Sequence, residues 1–486
     1  MASSLPISPV TAAVPSKSNL PLRNIPGDYG LPLIGALKDR LDYFWLQGEE
    51  KFYQSRIEKY QSTVFRVNMP PGPTIAKDSR VICVLDQKSF PILFDVEKCE
   101  KKDIFTGTYM PDLSFTSGYR VCPYLDPSED RHTKLKQWCF DVLAKNGRNF
   151  LPEFHKAIDE SMVLWEKDIA GGKRGDVSGE VKQFAFNFLF RAICHHDPAA
   201  PGPGSLGRDG GPGASLWALP QLAPIAGQTG LPHVVEELAF HTVSLPSILV
   251  KGKYDAIHNF VKTYATEALD MAEASGIERN DAIANLVFFL GFNAYGGFNI
   301  LFPEVVAFIQ SAGKDLMHEL HEEVKGAVTD GTVTLQALEN MPLLKSVVYE
   351  VFRFKPPVPY QYARAKTDFI IENHENSFQI KKNELLYGFQ PIVMHDPKVF
   401  DNPDEFVPRR FMGPEGQKLI KYVFWSNGPE TEKSTVHNKQ CAGKDLVVTM
   451  ARAFVAEMFL RYKDYTLEIE GAGNAAKLFF TALTKA

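Results

Sequence analysis

The chain has 486 residues, 44% of them hydrophobic and 23% charged, with a net charge of -5. That length can bury a large core, the composition is globular rather than disordered or fibrous, and the slight acidity gives no electrostatic reason to expect nucleic acid. Six cysteines without paired spacing fit reduced, intracellular use rather than a disulfide framework.

In chain order, the first 27 residues hold five serines, Lys17 and Arg23 and no acid. That is the composition of a short plastid transit segment, with a disordered cytosolic tail as the alternative; residues 1–22 are read as that flexible tail. The roughly 20 consecutive apolar residues of a membrane anchor are missing there, so no anchor is expected. Branched residues predict short strands over 63–69 and 81–86. His132 and Lys136, four apart, share one face of a predicted helix. The Pro/Gly-rich stretch 198–213 predicts an exposed loop between helices. Within it, Gly207-Arg-Asp-Gly-Gly211 follows no strand and opens no helix, which excludes a dinucleotide fingerprint.

The apolar run 285–299 predicts a helix interrupted by a lone Asn293. His318-Glu-Leu-His321-Glu322 sets two histidines three apart, fits no metalloprotease signature, and reads as a solvated helix face. Leu343, Leu344, Val347, Val348 and Val351 form the stripe of a helix stopped by Pro356-Pro357, with Glu350 and Arg353 on a shared face. Residues 368–371 and 377–380 predict a hairpin. In Pro408-Arg-Arg-Phe411, Arg410 is able to fork around the carboxylate of Glu350. Finally, Cys441 precedes a helix with Leu446, Val447, Met450, Phe454, Met458 and Phe459 on its apolar stripe and Arg452, Glu457 and Arg461 on its polar one. Unpaired N–H groups at a helix start favour an ionised sulfur, and Gly443 leaves room for a flat cofactor at the backbone. Length alone suggests about three domains, yet no polar linker divides the chain and no repeat is present.

The order Glu350-x-x-Arg353, Pro408-x-Arg410-Phe411, then a cysteine loop opening a helix resembles the cytochrome P-450 superfamily. The resemblance implies a mainly α fold with a small β-region, a single haem-thiolate domain over 23–486, Cys441 as axial ligand of haem b, and Glu350, Arg353 and Arg410 as an internal lock. Two departures narrow it. An insertion, 429–437, separates Phe424-Trp-Ser-Asn-Gly428 from Cys441, and Lys439 stands where arginine is usual. The run 285–299 also lacks the acid and threonine with which oxygen-activating members deliver protons. A substrate that carries its own O–O bond needs neither dioxygen nor a reductase. Ile25-Pro-Gly-Asp-Tyr-Gly30, Asn68-Met-Pro-Pro-Gly-Pro73, Lys88-Ser-Phe-Pro-Ile-Leu-Phe-Asp95, Tyr124-Leu-Asp-Pro-Ser-Glu129 and Asn427-Gly-Pro-Glu430 resemble the plant fatty-acid hydroperoxide branch, which contains allene oxide synthases, hydroperoxide lyases and divinyl ether synthases.

By that likeness Lys101 and Lys439 contact haem, His132 and Lys136 bind its propionates, Asn293 handles the peroxide, and Phe105 faces a carbon radical. The motifs divide on the outcome. Phe105 resembles the allene oxide synthases, whereas Gly291, Ala294, Asn299, Pro123 and the segment Gln390-Pro-Ile-Val-Met-His-Asp396 resemble the lyases. The expected function is therefore a fatty-acid hydroperoxide lyase yielding a short aldehyde and an oxo-acid, with allene oxide synthase as the alternative. Behind both stand a non-catalytic haem-binding protein of lipid particles and a monooxygenase. The expected partner is a polyunsaturated fatty-acid hydroperoxide, with no redox protein; peripheral membrane contact through apolar loops is compatible with it, in plastid or cytoplasm.

Overall fold

The computed structural model describes residues 20–69, 78–222, 231–241, 246–471 and 476–486. Residues 1–19 of the tail and 70–73 of the Asn68 motif lie outside them. Pro21 and Leu22 already run beside the strand at Ser377, whose amide donates to the Pro21 carbonyl at 3.0 Å.

The described strands are β1 (Val64–Asn68), β2 (Arg80–Val84), β3 (Cys99–Glu100), β4 (Gly175–Asp176), β5 (Tyr360–Ala365), β6 (Phe369–Glu372), β7 (Ser377–Ile380), β8 (Leu385–Phe389), β9 (Tyr462–Glu470) and β10 (Lys477–Lys485). They form a five-stranded sheet in the order β1-β2-β8-β5-β3, a three-stranded sheet β4-β10-β9 and the hairpin β6-β7. The predicted strands at 63–69 and 81–86 are β1 and β2, and the predicted hairpin is β6-β7. β8 is buried on both faces, parallel to β2 and antiparallel to β5. β5 alternates, turning Gln361, Ala363 and Ala365 inward, as a half-covered strand must. A Cβ on Gly388 would meet the Phe90 ring at 2.2 Å, so only glycine lets Phe90 pack on the sheet.

The rest is largely helical. Helix Val177–Cys194 is apolar nearly all round and buried accordingly. Rings fasten it to its neighbours: Phe184 stacks on Phe302 at 5.4 Å, and Phe302 on Phe454 of helix Lys444–Arg461 at 4.7 Å. The run Arg279–Ala312 is long and apolar enough to cross a membrane by composition, at a mean hydropathy of 1.4. Its apolar side chains instead fill this core, among them Leu301, Phe302, Val305 and Val306.

Glu350, Arg353 and Arg410 are brought together in one hydrogen-bonded cluster. On helix Pro342–Phe354 the buried Glu350 takes two bonds from Arg353, Nε to Oε2 and Nη2 to Oε1, both 2.9 Å. Arg410 Nε reaches the same carboxylate at 2.9 and 3.1 Å, and the Val407 amide adds a bond of 2.9 Å. The remaining guanidinium N–H groups donate to backbone carbonyls, including Met394 and Glu405 for Arg353 and Asn402 and Glu405 for Arg410.

Three local readings are corrected. Gly210 starts a helix, Gly210–Leu222, so the exposed stretch ends before 213; still, no strand leads into it. His321 is not solvated: it is 5% exposed, with Nδ1 2.8 Å from the Phe459 carbonyl. Arg452 is likewise buried, bonded to Glu339 at 2.8 Å and to the Leu338 carbonyl. Periodicity marks a polar face but not whether another element covers it.

Candidate active site

Cys441 lies in the loop before helix Lys444–Arg461. The loop's position follows from bonds on both sides of the insertion. The Cys441 amide donates to the Ser426 carbonyl at 2.8 Å, and Gln440 Nε2 donates to Ser426 Oγ at 3.1 Å and the Pro429 carbonyl at 2.8 Å. Buried Glu430 anchors the insertion: Tyr349 donates to Oε1 at 3.0 Å and Trp425 Nε1 to Oε2 at 2.7 Å. Lys444 donates to the Glu430 carbonyl at 2.9 Å, and Trp425 stacks on Phe352 at 4.4 Å. Sequence reasoning gave Glu430 no role; a carboxylate directly after Gly428-Pro429 was the available signal.

The sulfur's surroundings are unusual for a cysteine of this chain. Cys83, Cys99, Cys122 and Cys194 are buried, Cys139 is half-buried, and Cys441 is exposed; none is disulfide-bonded. Yet burial is the largest influence on the Cys441 thiol and pushes its pKa up, against the Gly443 amide and the charges of Lys136 and Lys444. Both observations hold when the side chain opens onto a hollow enclosed by protein. Asn293 repeats the pattern, exposed in the middle of a buried helix.

Around Asn293 the helix is irregular. Between Arg279–Phe288 and Tyr295–Ala312 it widens to a π-turn over Phe289–Ala294, a feature that re-aims side chains and favours functional sites. Gly291, buried there, is not forced by sterics, since an added Cβ would meet nothing nearer than Trp217 at 3.7 Å. Phe105 faces this segment, with ring centroids 6.2 Å from Phe292, 6.4 Å from Phe288 and 5.9 Å from Tyr124, all edge-on. Asn285 pins the neighbouring turn by accepting the Cys122 amide at 2.8 Å.

Lys101, Lys439 and the helical pair His132 and Lys136 converge from three segments. Lys101 Nζ donates to Asn427 at 2.7 Å and Gln361 at 3.1 Å. Lys136 donates to the Asn438 carbonyl at 2.6 Å, and Lys439 to the carbonyls of Cys122, Pro123 and Leu125 at 3.1, 3.1 and 2.8 Å. None of these bonds goes to a carboxylate. His132 is 1% exposed and its Nδ1 is without a partner. Burial first, then repulsion from Lys439, lowers Lys101 to about 7 and Lys136 to about 8. Burial first, then Lys439 and Lys136, lowers His132 to about 3. The mutual repulsion of these buried cations would be relieved by an anion between them.

Known proteins match this chain along almost its whole length. The cytochrome P450 family model matches residues 312–466. A chloroplastic allene oxide synthase of Linum usitatissimum is 49% identical over 99% of this chain and 90% of its own. That of Arabidopsis thaliana is 48% identical over 96% and 90%. A divinyl ether synthase, CYP74M3, of Selaginella moellendorffii is 44% identical over 94% of each chain.

The chain belongs to the plant hydroperoxide-metabolising cytochrome P450 family.

As a P450 of that family it is a haem-thiolate enzyme acting on fatty-acid hydroperoxides, and the mainly helical fold with a small β-region agrees. The hollow beside Cys441 and the unmatched cations fit such a group and its two carboxylates. The lyase expectation is overturned: relatives at 44–49% identity over nearly the full length are allene oxide synthases. Two of the features that suggested a lyase carry little weight in the structure. Gly291 has room for a side chain, and Pro123 acts through its carbonyl, which any residue would supply.

The cation cluster has a pH consequence. Lysine titrates near 10.4 in an unfolded chain, so with Lys101 and Lys136 lowered the unfolded state binds more protons above about pH 7. Stability of haem-free protein therefore rises with pH from about 7 to about 8.5, where thiols of the unfolded chain begin to ionise and oppose it. Bound carboxylates hold the lysines protonated and flatten that rise. Thermal denaturation of haem-free and haem-loaded protein across this window checks both slopes, and Lys101→Met should shrink the haem-free one.

Proposed function

We propose that this protein is an allene oxide synthase, a dehydratase converting a polyunsaturated fatty-acid hydroperoxide into an allene oxide and water, working in plastids. Full-length similarity to allene oxide synthases, several named chloroplastic, carries this reading. Cys441 would hold the haem iron through its thiolate, and Lys101, His132, Lys136 and Lys439 would hold the haem propionates by charge-assisted bonds. Haem on a thiolate supplies O–O cleavage.

The chain's own residues do the rest. Asn293 offers an amide that both donates to and accepts from the hydroperoxide oxygens, and its side chain is exposed on the π-turn. Phe105, Phe288 and Phe292 wall the space where the unsaturated carbons lie, excluding water that would open an epoxide. The net change keeps every carbon: the substrate loses one oxygen and two hydrogens as water.

Incubation of the purified haem enzyme with linolenic acid hydroperoxide, in methanol-containing buffer, tests the reading. Expected products are a methanol adduct, α-ketol or cyclopentenone from the allene oxide; short aldehydes as the main products would refute it. In this reading the ring of Phe105 stabilises a carbon-centred radical long enough for dehydration. Phe105→Leu should therefore move the ratio of ketol to aldehyde about fivefold towards aldehyde, the size of an aromatic contact expressed in a rate; an unchanged ratio removes Phe105 from the partition.

A further inference from the structure

A cavity of about 370 Å³ lies between the segment 114–118 and the helices Gly210–Leu222 and Lys251–Tyr264. Its inner wall is aromatic. Phe115 and Trp217 stack there at 5.0 Å, and both lie against Phe288, at 6.3 and 6.1 Å. Phe288 in turn contacts Phe292 at 5.1 Å and Phe105 at 6.4 Å, so one apolar wall runs from this cavity to the π-turn.

The rim is different. Ser114 and Ser247 share a hydrogen bond of 2.7 Å across it. Lys251, 58% exposed in its side chain, stands at the rim with its ammonium 2.6 and 2.7 Å from the two oxygens of Asp255. Tyr254 is 3% exposed and lines the cavity; its hydroxyl sits beside Ser117 without a well-formed hydrogen bond to any described group. An apolar interior with a cation at its rim matches a fatty acid, not a neutral lipid.

We propose that this cavity receives the carboxylate end of the hydroperoxide, with Lys251 as its charge partner, fixing which end of the chain leads towards Asn293. The assignment rests on the reading of the substrate as a free fatty-acid hydroperoxide. The pair with Asp255 does not block it. An ammonium has three N–H groups and an exposed i,i+4 pair is weak, so a second carboxylate competes on comparable terms. Asp255 is then an opponent of substrate binding, which gives variants with opposite signs.

The experiment compares kcat/KM of the haem enzyme for a linolenic acid hydroperoxide and for its methyl ester. Lys251→Gln should lower the acid-to-ester ratio about two- to fivefold, through KM, as loss of one exposed charge pair implies. Asp255→Asn should raise the ratio, and added salt should lower it in the parent enzyme. A ratio unmoved by both Lys251→Gln and Asp255→Asn overturns the inference while allene oxide formation stands. Failure of the parent enzyme to consume either compound overturns the functional reading and this inference with it.

Discussion

Cys441→Ala is expected to abolish both the thiolate-type Soret spectrum and hydroperoxide turnover, while the protein stays folded. The loop is held through the backbone: the amide bond to Ser426 and the anchoring of Glu430 survive the substitution. The side chain is exposed to the hollow rather than packed, so truncation leaves no cavity and stability should change by no more than about 0.5 kcal/mol. Circular dichroism alongside the absorption spectrum separates loss of the ligand from loss of the fold. Cys139→Ala, whose thiol burial pushes far from ionisation, should retain the spectrum. A thiolate signature surviving in Cys441→Ala would mean that another sulfur holds the iron.

Glu350→Ala is expected to be among the most destabilising single substitutions, by about 3–5 kcal/mol. One carboxylate balances two guanidinium groups, Arg353 at 0% side-chain exposure and Arg410 at 5%, and also accepts the Val407 amide. Removing it leaves two cations in a site where water cannot replace it. Against a typical total of about 5–15 kcal/mol, that loss threatens folding itself. Glu350→Gln keeps the shape and an acceptor oxygen, so it should fold with a smaller loss, readable in urea denaturation. A change below about 1 kcal/mol in both variants would show the lock to be dispensable.

The parts legible in the sequence were those written by spacing. Glu350 and Arg353 three apart on an apolar helix, the cysteine before Lys444–Arg461, and the β-branched runs of β1 and β2 each announce themselves within a few residues. Contacts between distant segments did not. Nothing near Lys439 shows that its ammonium caps the carbonyls of residues 122–125, and nothing around His321 or Arg452 shows which element covers them. The π-turn at Phe289–Ala294 was also hidden, because one extra residue in a helical turn leaves an apolar run looking regular.

The product was misread for a different reason. Cleavage and dehydration share a substrate, a cofactor and their first step, so their balance depends on small barrier differences spread over the pocket; about 1.4 kcal/mol is already tenfold. Single positions such as Gly291 and Asn299 are weak guides to such a balance. Similarity along the whole chain samples every contributor at once.

The central claim is that a sulfur-held haem dehydrates a ready-made lipid peroxide with its carbon skeleton intact. A mass balance on linolenic acid hydroperoxide consumed by the purified haem enzyme, under argon and with no reductase or nicotinamide present, tests it most directly. The account predicts undiminished turnover, with all substrate carbons recovered in single-chain products of allene oxide hydrolysis or cyclisation. Turnover that stops under argon, or carbon recovered as two fragments, would contradict it.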